Sequence, residues 1–150
     1  MVEITIYTDG ACNQKIGKGG WAYLILKDEK SVFEKSESVA VTTNNKCEML
    51  AAINALKDLK TYYPNTSVKV TLVSDSAYLV NAFVDNWIDN WTSNGWVNSE
   101  KKAVLNKEYW LELIHLQKMY NVDFVKIPRN SNDFAKRVDQ LAGIASNAKI

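Results

Sequence analysis

The sequence predicts an α/β fold in which one five-stranded mixed sheet, three antiparallel strands plus two parallel ones, is flanked by helices. Residues 2–9 alternate apolar and polar side chains with the period of two that strands require, and two further strand-type runs follow up to Val39. Each of two later β-type runs follows a segment with helical spacing, which is typical of strands added through crossovers. With 150 residues, 47% of them apolar, one domain over residues 1–150 is expected.

The first strand begins at Val2 and carries an acid, Asp9, near its end. Gly10 follows Asp9 and would allow another segment to approach the backbone closely. Asp-Gly is also a common turn pair, so Asp9 is either a turn or capping aspartate or a metal ligand. Two further strands complete an antiparallel meander, at Trp21–Lys27 and Ser31–Val39.

The helical half begins after Thr42-Thr43-Asn44-Asn45, four residues suited to helix N-caps. Apolar residues from Met49 to Leu59 recur at spacings of three and four, which predicts a helix of about 18 residues that ends near Tyr62. The remaining elements are expected as a strand over Val68–Val73, a helix through Tyr78–Phe83, a helix over Lys107–Met119, a strand over Asn121–Ile127 and a helix from Asp133 towards Asn147.

The segment from Asn86 to Asn106 interrupts this regular order with three tryptophans among polar residues: Trp87, Trp91 and Trp96. In one interpretation they cover the packing of small helices. In the other, they form with Lys101 and Lys102 a surface on which nucleic acid stacks. Nearby acids dilute the positive charge, and both interpretations remain open at this point.

Composition excludes several classes of function. A net charge of +1 is too small for a strongly basic nucleic-acid binder. Two cysteines, Cys12 and Cys47, fit reduced intracellular thiols, and whether they can pair under oxidation stays open. His115 is the single histidine, which argues against zinc sites and nucleophilic triads. Without an apolar run of membrane-span length or a leader-like start, a cytoplasmic protein with no membrane association is expected.

Four acids are expected to meet at one place. Asp9 and Asp75 follow strand-type runs, Glu48 lies one turn inside a helix, and Asp139 lies early in the last helix. Sites in open sheets form at the carboxyl ends of strands where the topology switches. Four carboxylates there would repel one another unless cations lie between them, and such oxygen ligands suit Mg²⁺ or Mn²⁺. Two ions about 4 Å apart serve phosphodiester chemistry.

Each of the other three acids also has an ordinary structural explanation. Asp75 could cap the next helix, and Glu48 could be a first-turn acid that the helix dipole favours. Asp139 could lie on a solvated face beside Arg137. Apolar neighbours of Asp139 along its helix argue against the last of these.

Taken together, the motifs resemble the ribonuclease H family of the bacterial and eukaryotic cellular type over essentially the whole chain. The matching stretches are Tyr7-Thr8-Asp9-Gly10-Ala11-Cys12, Gly19-Gly20-Trp21-Ala22, Thr43-Asn44-Asn45-Lys46-Cys47-Glu48, Ser74-Asp75-Ser76-Ala77-Tyr78, Asn86-Trp87, Trp91, Gly95-Trp96, Asn106-Lys107 and Arg137-Val138-Asp139-Gln140-Leu141-Ala142. The resemblance implies a ribonuclease H-like fold. It also implies an endonuclease that hydrolyses the RNA strand of RNA/DNA hybrids, leaves 5′-phosphate and 3′-hydroxyl ends and has little sequence specificity. Because the chain is short and shows no evident dimerisation segment, a monomer is expected.

The resemblance also assigns residues. Asp9, Glu48, Asp75 and Asp139 would be catalytic and would hold two Mg²⁺ ions, for which Mn²⁺ can substitute; Asp9 would bridge both ions. Asn44 and Asn45, with Asn13 or Gln14 as helpers, would recognise the RNA in the minor groove, where the 2′-hydroxyl distinguishes RNA from DNA. Thr43 and Asn106 would form a pocket that binds a phosphate of the DNA strand. Tyr78, Trp87 and Ser99 would form a channel that contacts the sugar-phosphate backbone of the same strand.

The sequence departs from the family pattern in two regions. The loop Pro128–Asn132 lacks the histidine that relatives use for water activation or product release, and Asn130, Asn132 or Asp133 are candidates to replace it. The tryptophan region holds only Lys101, Lys102 and Lys107, and Val41 stands where some relatives have an arginine near the phosphate pocket. Hybrid affinity is therefore expected to be modest and to fall as salt rises.

Two alternatives to the hybrid-specific nuclease remain open. One is an inactive or very slow binding module on the same fold, which the missing histidine and the weak basic patch favour. The other is a two-metal nucleotidyl transferase such as a resolvase or integrase core. The intact acids argue against the first, and the asparagine pair with the Trp87 region argues against the second. The biological role, the preferred metal and the rate stay undetermined.

Overall fold

The computed structural model describes residues 1–40 and 43–147, so Thr42, one of the four candidate cap residues, and Val41, the departure near the phosphate pocket, lie outside the described part. The elements in chain order are β1 (Val2–Asn13), β2 (Lys18–Lys27), β3 (Lys30–Val39), α1 (Asn44–Tyr62), β4 (Val68–Ser74), α2 (Ala77–Val84), α3 (Trp87–Asn94), α4 (Lys107–Tyr120), β5 (Asp123–Lys126) and α5 (Asp133–Asn147).

The strands form one mixed sheet in the order β3-β2-β1-β4-β5. β1 pairs antiparallel with β2, and β2 pairs antiparallel with β3, as the meander predicted. β4 lies parallel to β1, and β5 lies parallel to β4. The predicted sheet of three antiparallel and two parallel strands is therefore confirmed. Both crossovers are helical, as parallel pairing requires.

Helices cover both faces of the sheet, and strand alternation decides which β1 side chains meet which helix. Ile4 and Ile6 belong to the main core, which α1 and α4 share. Tyr7 and Ala11 project to the other face and pack against a smaller cluster that includes Val138 of α5. Asp9 has the same parity as Tyr7 and Ala11, so its side chain starts on the α5 face.

β1 is longer than the sequence suggested, and this changes the environment of Asp9. Its pairing with β2 continues through Asp9 and Gly10 to Asn13, so the interpretation of Asp9-Gly10 as a turn is wrong. The parallel pairing with β4 stops earlier, at Tyr7 and Val73. The β2 ladder supplies backbone partners that keep the Asp-Gly pair extended, whereas the β4 side of β1 is open from Asp9 onward.

Gly10 is the point where α1 comes closest to β1. A Cβ atom built on Gly10 would lie 2.4 Å from the carbonyl carbon of Cys47 and 2.4 Å from the amide nitrogen of Glu48. Real side chains do not tolerate such distances, so only glycine permits this approach. Cys47 is fully buried at this contact, and its thiol is reduced. The close approach expected at Gly10 is thus present, and it places Glu48 beside β1.

We predict that Gly10→Ala destabilises the protein by about 1 to 3 kcal/mol, because the new methyl group forces α1 away from β1. Urea denaturation followed by circular dichroism measures this loss. The matched control is Gly143→Ala in α5, where an added Cβ meets nothing within 4 Å. There the change should be neutral or stabilising by up to about 1 kcal/mol, because alanine favours the helix. Equal stability of the two variants would contradict the close-approach interpretation.

Candidate active site

Four separate elements bring the four acids towards the open side of β1. Asp9 lies on β1, two residues beyond Tyr7, which is the last β1 residue that pairs with β4. Asp75 directly follows Ser74, the last residue of β4. Glu48 is the fifth residue of α1, and Asp139 the seventh of α5. The carboxyl end of a parallel strand pair therefore forms the floor of the site, as expected for an open α/β sheet.

Three of the acids form a tight cluster. Asp9, Glu48 and Asp75 each offer a carboxylate oxygen within 4.8 Å of the others. Asp9 is 5% exposed and Glu48 is 7% exposed. The Gly10 amide donates to Asp9 Oδ1 over 2.9 Å and to Glu48 Oε1 over 3.0 Å. Glu48 Oε2 is buried and has no hydrogen-bond partner among the described residues, which leaves an oxygen lone pair directed at a potential ligand.

Burial and mutual repulsion raise the pKa values of the cluster. Burial is the largest cause that raises the pKa of Asp9 to about 7, and the negative charges of Asp75 and Asp139 add to it. Burial and then the charge of Asp9 raise the pKa of Glu48 well above its usual range. Burial also raises the pKa of Asp75, although the Arg129 guanidinium opposes that change. A cation between the carboxylates would relieve all three costs.

Asp75 does not cap α2, which removes its ordinary structural explanation. Ser76 is the N-cap residue instead, and its Oγ accepts from the Leu79 amide over 3.1 Å. The Oγ of Ser74 accepts from the Ser76 amide over 3.0 Å and stabilises the same turn. Serines on both sides of Asp75 thus satisfy the backbone, and the Asp75 carboxylate remains available to the cluster.

Asp139 is half-buried and lies close enough to Asp9 to raise its pKa. Its basic partner is Arg129, whose Nη2 lies 3.4 Å from Asp139 Oδ1. Arg137, the neighbour suggested by sequence, pairs instead with Glu34 at 2.8 Å. The interpretation of Asp139 as a solvated partner of Arg137 is therefore wrong, because α5 turns the two side chains to different sides.

The donor set fits a hard divalent cation. All candidate ligands are carboxylate oxygens, and within residues 1–40 and 43–147 the Asp9, Glu48 and Asp75 group is the one cluster of three metal-ligating side chains. His115 is exposed on α4 and takes no part in it. Asp139 lies outside this cluster in the described geometry, held towards Arg129.

Asn106 and Tyr78 contact each other: Asn106 Nδ2 donates to the Tyr78 hydroxyl over 3.1 Å. Asn106 precedes α4 with a left-handed φ of 62°, and its side chain makes no cap hydrogen bond. A cavity of about 340 Å³ at the start of α4 is lined by Asn106, Lys107 and Lys46 of α1. The sequence reasoning had not singled out Lys46, although its place one turn into α1 beside Asn45 could have suggested it.

Trp87 and Ser99 line a shared groove of about 640 Å³ together with Trp91 and polar residues of α3. Trp91 lies 5.5 Å, between ring centroids, from the fully buried Trp110, and 5.8 Å from Trp96. Lys107 Nζ lies 5.7 Å from the centroid of the Trp96 ring. The tryptophans therefore do pack against the core, as the first interpretation predicted. Trp87 also lines an open groove, and the interpretation of this segment as a nucleic-acid surface stays a prediction.

The other proposed substrate residues lie at the start of α1 and the end of β1. Thr43 caps α1 by accepting from the Lys46 amide over 3.2 Å, and Asn44 and Asn45 are exposed in the first turn. Asn13 is committed elsewhere, since its Nδ2 donates to Asn147 Oδ1 over 2.7 Å. The structure thus leaves Asn44 and Asn45 available to a ligand and ties Asn13 to the end of α5.

The histidine-free loop is anchored by Asn132, which accepts from the Ala135 amide over 2.8 Å and donates to the Tyr7 hydroxyl over 3.0 Å. Asn132 is therefore the cap of α5. Asn130 adopts a left-handed φ of 53°, and Asp133 is exposed in the first helical turn. Arg129 in this segment pairs with Asp139, one of the four predicted site acids, which the sequence reasoning had not anticipated.

The RNase H family profile matches residues 1–147. Proteins named Ribonuclease H are similar to this chain: that of Acetivibrio thermocellus is 44% identical and aligns over 95% of this chain and 93% of its own length. The Ribonuclease H of Symbiobacterium thermophilum is 45% identical and aligns over 97% of this chain and 95% of its own length. The crystal structure of LC11-RNase H1 in complex with RNA/DNA hybrid superposes with a TM-score of 0.76 at 26% identity, covering 96% of each chain.

We predict that the metal-free protein becomes more stable as pH falls from about 7.5 to about 5.5, by about 1 to 2 kcal/mol. The pKa of Asp9 rises from its ordinary 3.8 to about 7 on folding, so the folded state binds the proton more tightly. This contribution is complete below 3.8 and is lost as pH rises through about 7. Urea denaturation in the presence of a chelator measures it.

The matched variant for this measurement is Asp9→Asn, which removes the titrating group while keeping the side-chain shape. Its stability should vary much less over the same pH range. Adding Mg²⁺ to the unsubstituted protein should stabilise it more at the upper end of the range than at the lower end, because the cation and the proton compete. A flat pH profile in both proteins would show that folding does not raise the pKa of Asp9.

Proposed function

The chain belongs to the ribonuclease H family, and on that premise we propose that Asp9, Glu48, Asp75 and Asp139 hold two Mg²⁺ ions with which it hydrolyses RNA. It is an endoribonuclease that cleaves the RNA strand of an RNA/DNA hybrid. The observation that carries the two-metal proposal is the buried group of three carboxylates within 4.8 Å of one another, with one oxygen unpartnered. Family members use divalent metal ions, and this cluster fits such a site.

The ions would supply activation of water and neutralisation of the departing oxygen. The chain positions its own acids for this task. Asp9 is fixed by the Gly10 amide and faces the other acids, so its carboxylate would be a ligand to the bound cations. Glu48 is fixed by the same amide through Oε1 and keeps Oε2 for a ligand. Hydrolysis adds water across the phosphodiester, so that the P–O3′ bond breaks and 3′-hydroxyl and 5′-phosphate ends result.

Selection of the hybrid would follow from two separate surfaces. Asn44 and Asn45 are exposed next to Glu48, where their amides can hydrogen-bond the 2′-hydroxyl that DNA lacks. Across the surface, Thr43 and Asn106 would contact a DNA phosphate, and Tyr78, Trp87 and Ser99 its sugar-phosphate backbone. The Asn106–Tyr78 hydrogen bond and the groove shared by Trp87 and Ser99 support this grouping. Such contacts read no base edges, so little sequence specificity is expected.

The proposal also covers the molecule as a whole. We propose that residues 1–150 act as one catalytic domain, as a monomer in the cytoplasm. In the described part of the chain, no helix combines the length and the apolar character that crossing a membrane requires. Sedimentation and cell fractionation are the measurements for oligomeric state and location.

Asp9→Asn should reduce cleavage of the RNA strand by at least about a thousandfold, because it removes the carboxylate that faces the other acids of the site. The assay presents one labelled sequence as RNA/DNA, RNA/RNA, DNA/DNA and single strands, with Mg²⁺, Mn²⁺ or a chelator. Cleavage should be confined to the RNA of the hybrid and should require metal.

Asp123→Asn is the matched control, since Asp123 is an exposed acid on β5 that pairs with Lys69. It should leave turnover unchanged. If the hybrid is bound but cut by neither the unsubstituted protein nor the control, the binding-module alternative replaces the nuclease. Cutting of branched DNA as fast as the hybrid would favour the nucleotidyl transferase instead.

Asn106→Gly should raise KM for the hybrid by about tenfold with kcat nearly unchanged, because it removes a phosphate donor while glycine keeps the left-handed backbone accessible. The control is Asn121→Gly, which alters the other left-handed asparagine that flanks α4, with φ of 49°. Steady-state kinetics on both variants measure the effect. An equal rise in KM for both would indicate a general disturbance of α4, not a lost substrate contact.

A further inference from the structure

The loop before α5 brings a permanent cation to the acid cluster. Arg129 Nη2 lies 3.4 Å from Asp139 Oδ1, and its side chain is 73% exposed whereas that of Asp139 is 31% exposed. The charge of Arg129 also opposes the rise in the pKa of Asp75 that burial causes. Arg129 thus acts on the two acids that β4 and α5 contribute.

The two sides of the cluster are stabilised by different means. On the α1 side, Asp9 and Glu48 share the neutral Gly10 amide. On the α5 side, Asp139 is held by a guanidinium, and it is absent from the group of three acids within 4.8 Å. Arg129 therefore supplies a positive charge beside Asp139, the acid that lies outside the group of three.

The geometry leads us to propose that Arg129 alternates between two partners, Asp139 before metal binds and a phosphate of the RNA strand afterwards. This inference rests on the proposed two-metal function. In the metal-free protein Arg129 neutralises Asp139 and competes with a cation for it. With Asp139 serving as a metal ligand, the guanidinium would be released to a phosphate of the RNA strand and would stabilise its negative charge.

Three features of the loop suit Arg129 to this exchange. Asn132 caps α5 and hydrogen-bonds the Tyr7 hydroxyl, so the loop is anchored three residues after Arg129. The exposed side chain is free to change rotamer, and its contact of 3.4 Å with Asp139 is a long one. A guanidinium does not deprotonate in proteins and binds phosphate through two parallel donors, so it acts by charge and not by proton transfer.

The test uses Arg129→Gln with two measurements that should move in opposite directions. Calorimetric titration of Mn²⁺ and Mg²⁺ without substrate should show about two- to fivefold tighter binding, since the competing partner of Asp139 is gone. Single-turnover cleavage of hybrid at saturating metal should be at least about tenfold slower, because the phosphate loses its donor. A purely structural role would weaken both.

The sequence supplies a matched control, because Arg129 and Arg137 are its two arginines. Arg137→Gln removes an ion pair with Glu34 on β3 and should change neither quantity. Arg129→Lys keeps the charge and should restore metal affinity to that of the unsubstituted protein and recover part of the turnover. Thermal denaturation in a chelator verifies that all three variants are folded.

Metal affinity that is unchanged or weaker in Arg129→Gln overturns the exchange, and so does unchanged turnover. A lysine variant that matches the glutamine variant in both measurements also overturns it, because charge would then not be the cause. These failures are distinct from failure of the proposed function. If the unsubstituted protein neither binds metal nor cuts hybrid, the function itself is wrong; if it does both, only the role of Arg129 is in question.

Discussion

One backbone amide, that of Gly10, is the contact on which the site depends. It donates to Asp9 at 2.9 Å and to Glu48 at 3.0 Å, so a single N–H joins a strand carboxylate and a helix carboxylate. The contact exists only because residue 10 has no side chain, since a Cβ would overlap the α1 backbone. A neutral donor offsets part of the cost of burying two acids side by side and leaves the rest for a cation.

Glycine has a second such role on the opposite face of the sheet. A Cβ on Gly20 would lie 2.4 Å from the Ser146 amide nitrogen and 2.6 Å from the Ala142 carbonyl oxygen, so α5 approaches β2 as closely as α1 approaches β1. Gly20 pairs with Ala11, next to Gly10 on β1. Two helices therefore press on the sheet at neighbouring positions from opposite faces, and they bring Glu48 and Asp139 to the same end of β1.

Sequence reasoning succeeded where a feature depends on local pattern. The sheet and the three clustered carboxylates followed from the alternation in residues 2–9, the strand-type runs after it, the helical spacing after Asn45 and the acids placed after strands. It failed where a distant partner decides the outcome. Asp9-Gly10 has the composition of a turn, yet pairing with Ala22 and Trp21 on β2 keeps it extended. The partner of Asp139 was also missed: Arg129 was not considered for it, and Arg137, named only in its ordinary structural explanation, pairs with Glu34 on β3.

What the sequence by itself determined is the order of elements, the mixed sheet and the set of oxygen ligands, because strand and helix periods and residue chemistry are local properties. Only the tertiary structure decided which atoms of that set meet. The early end of the β1–β4 ladder opens the floor of the site, the glycine contact buries Asp9 with Glu48, and the loop before α5 gives Asp139 a guanidinium. Each depends on the distance between segments far apart in the chain, and spacing along the chain does not encode such distances.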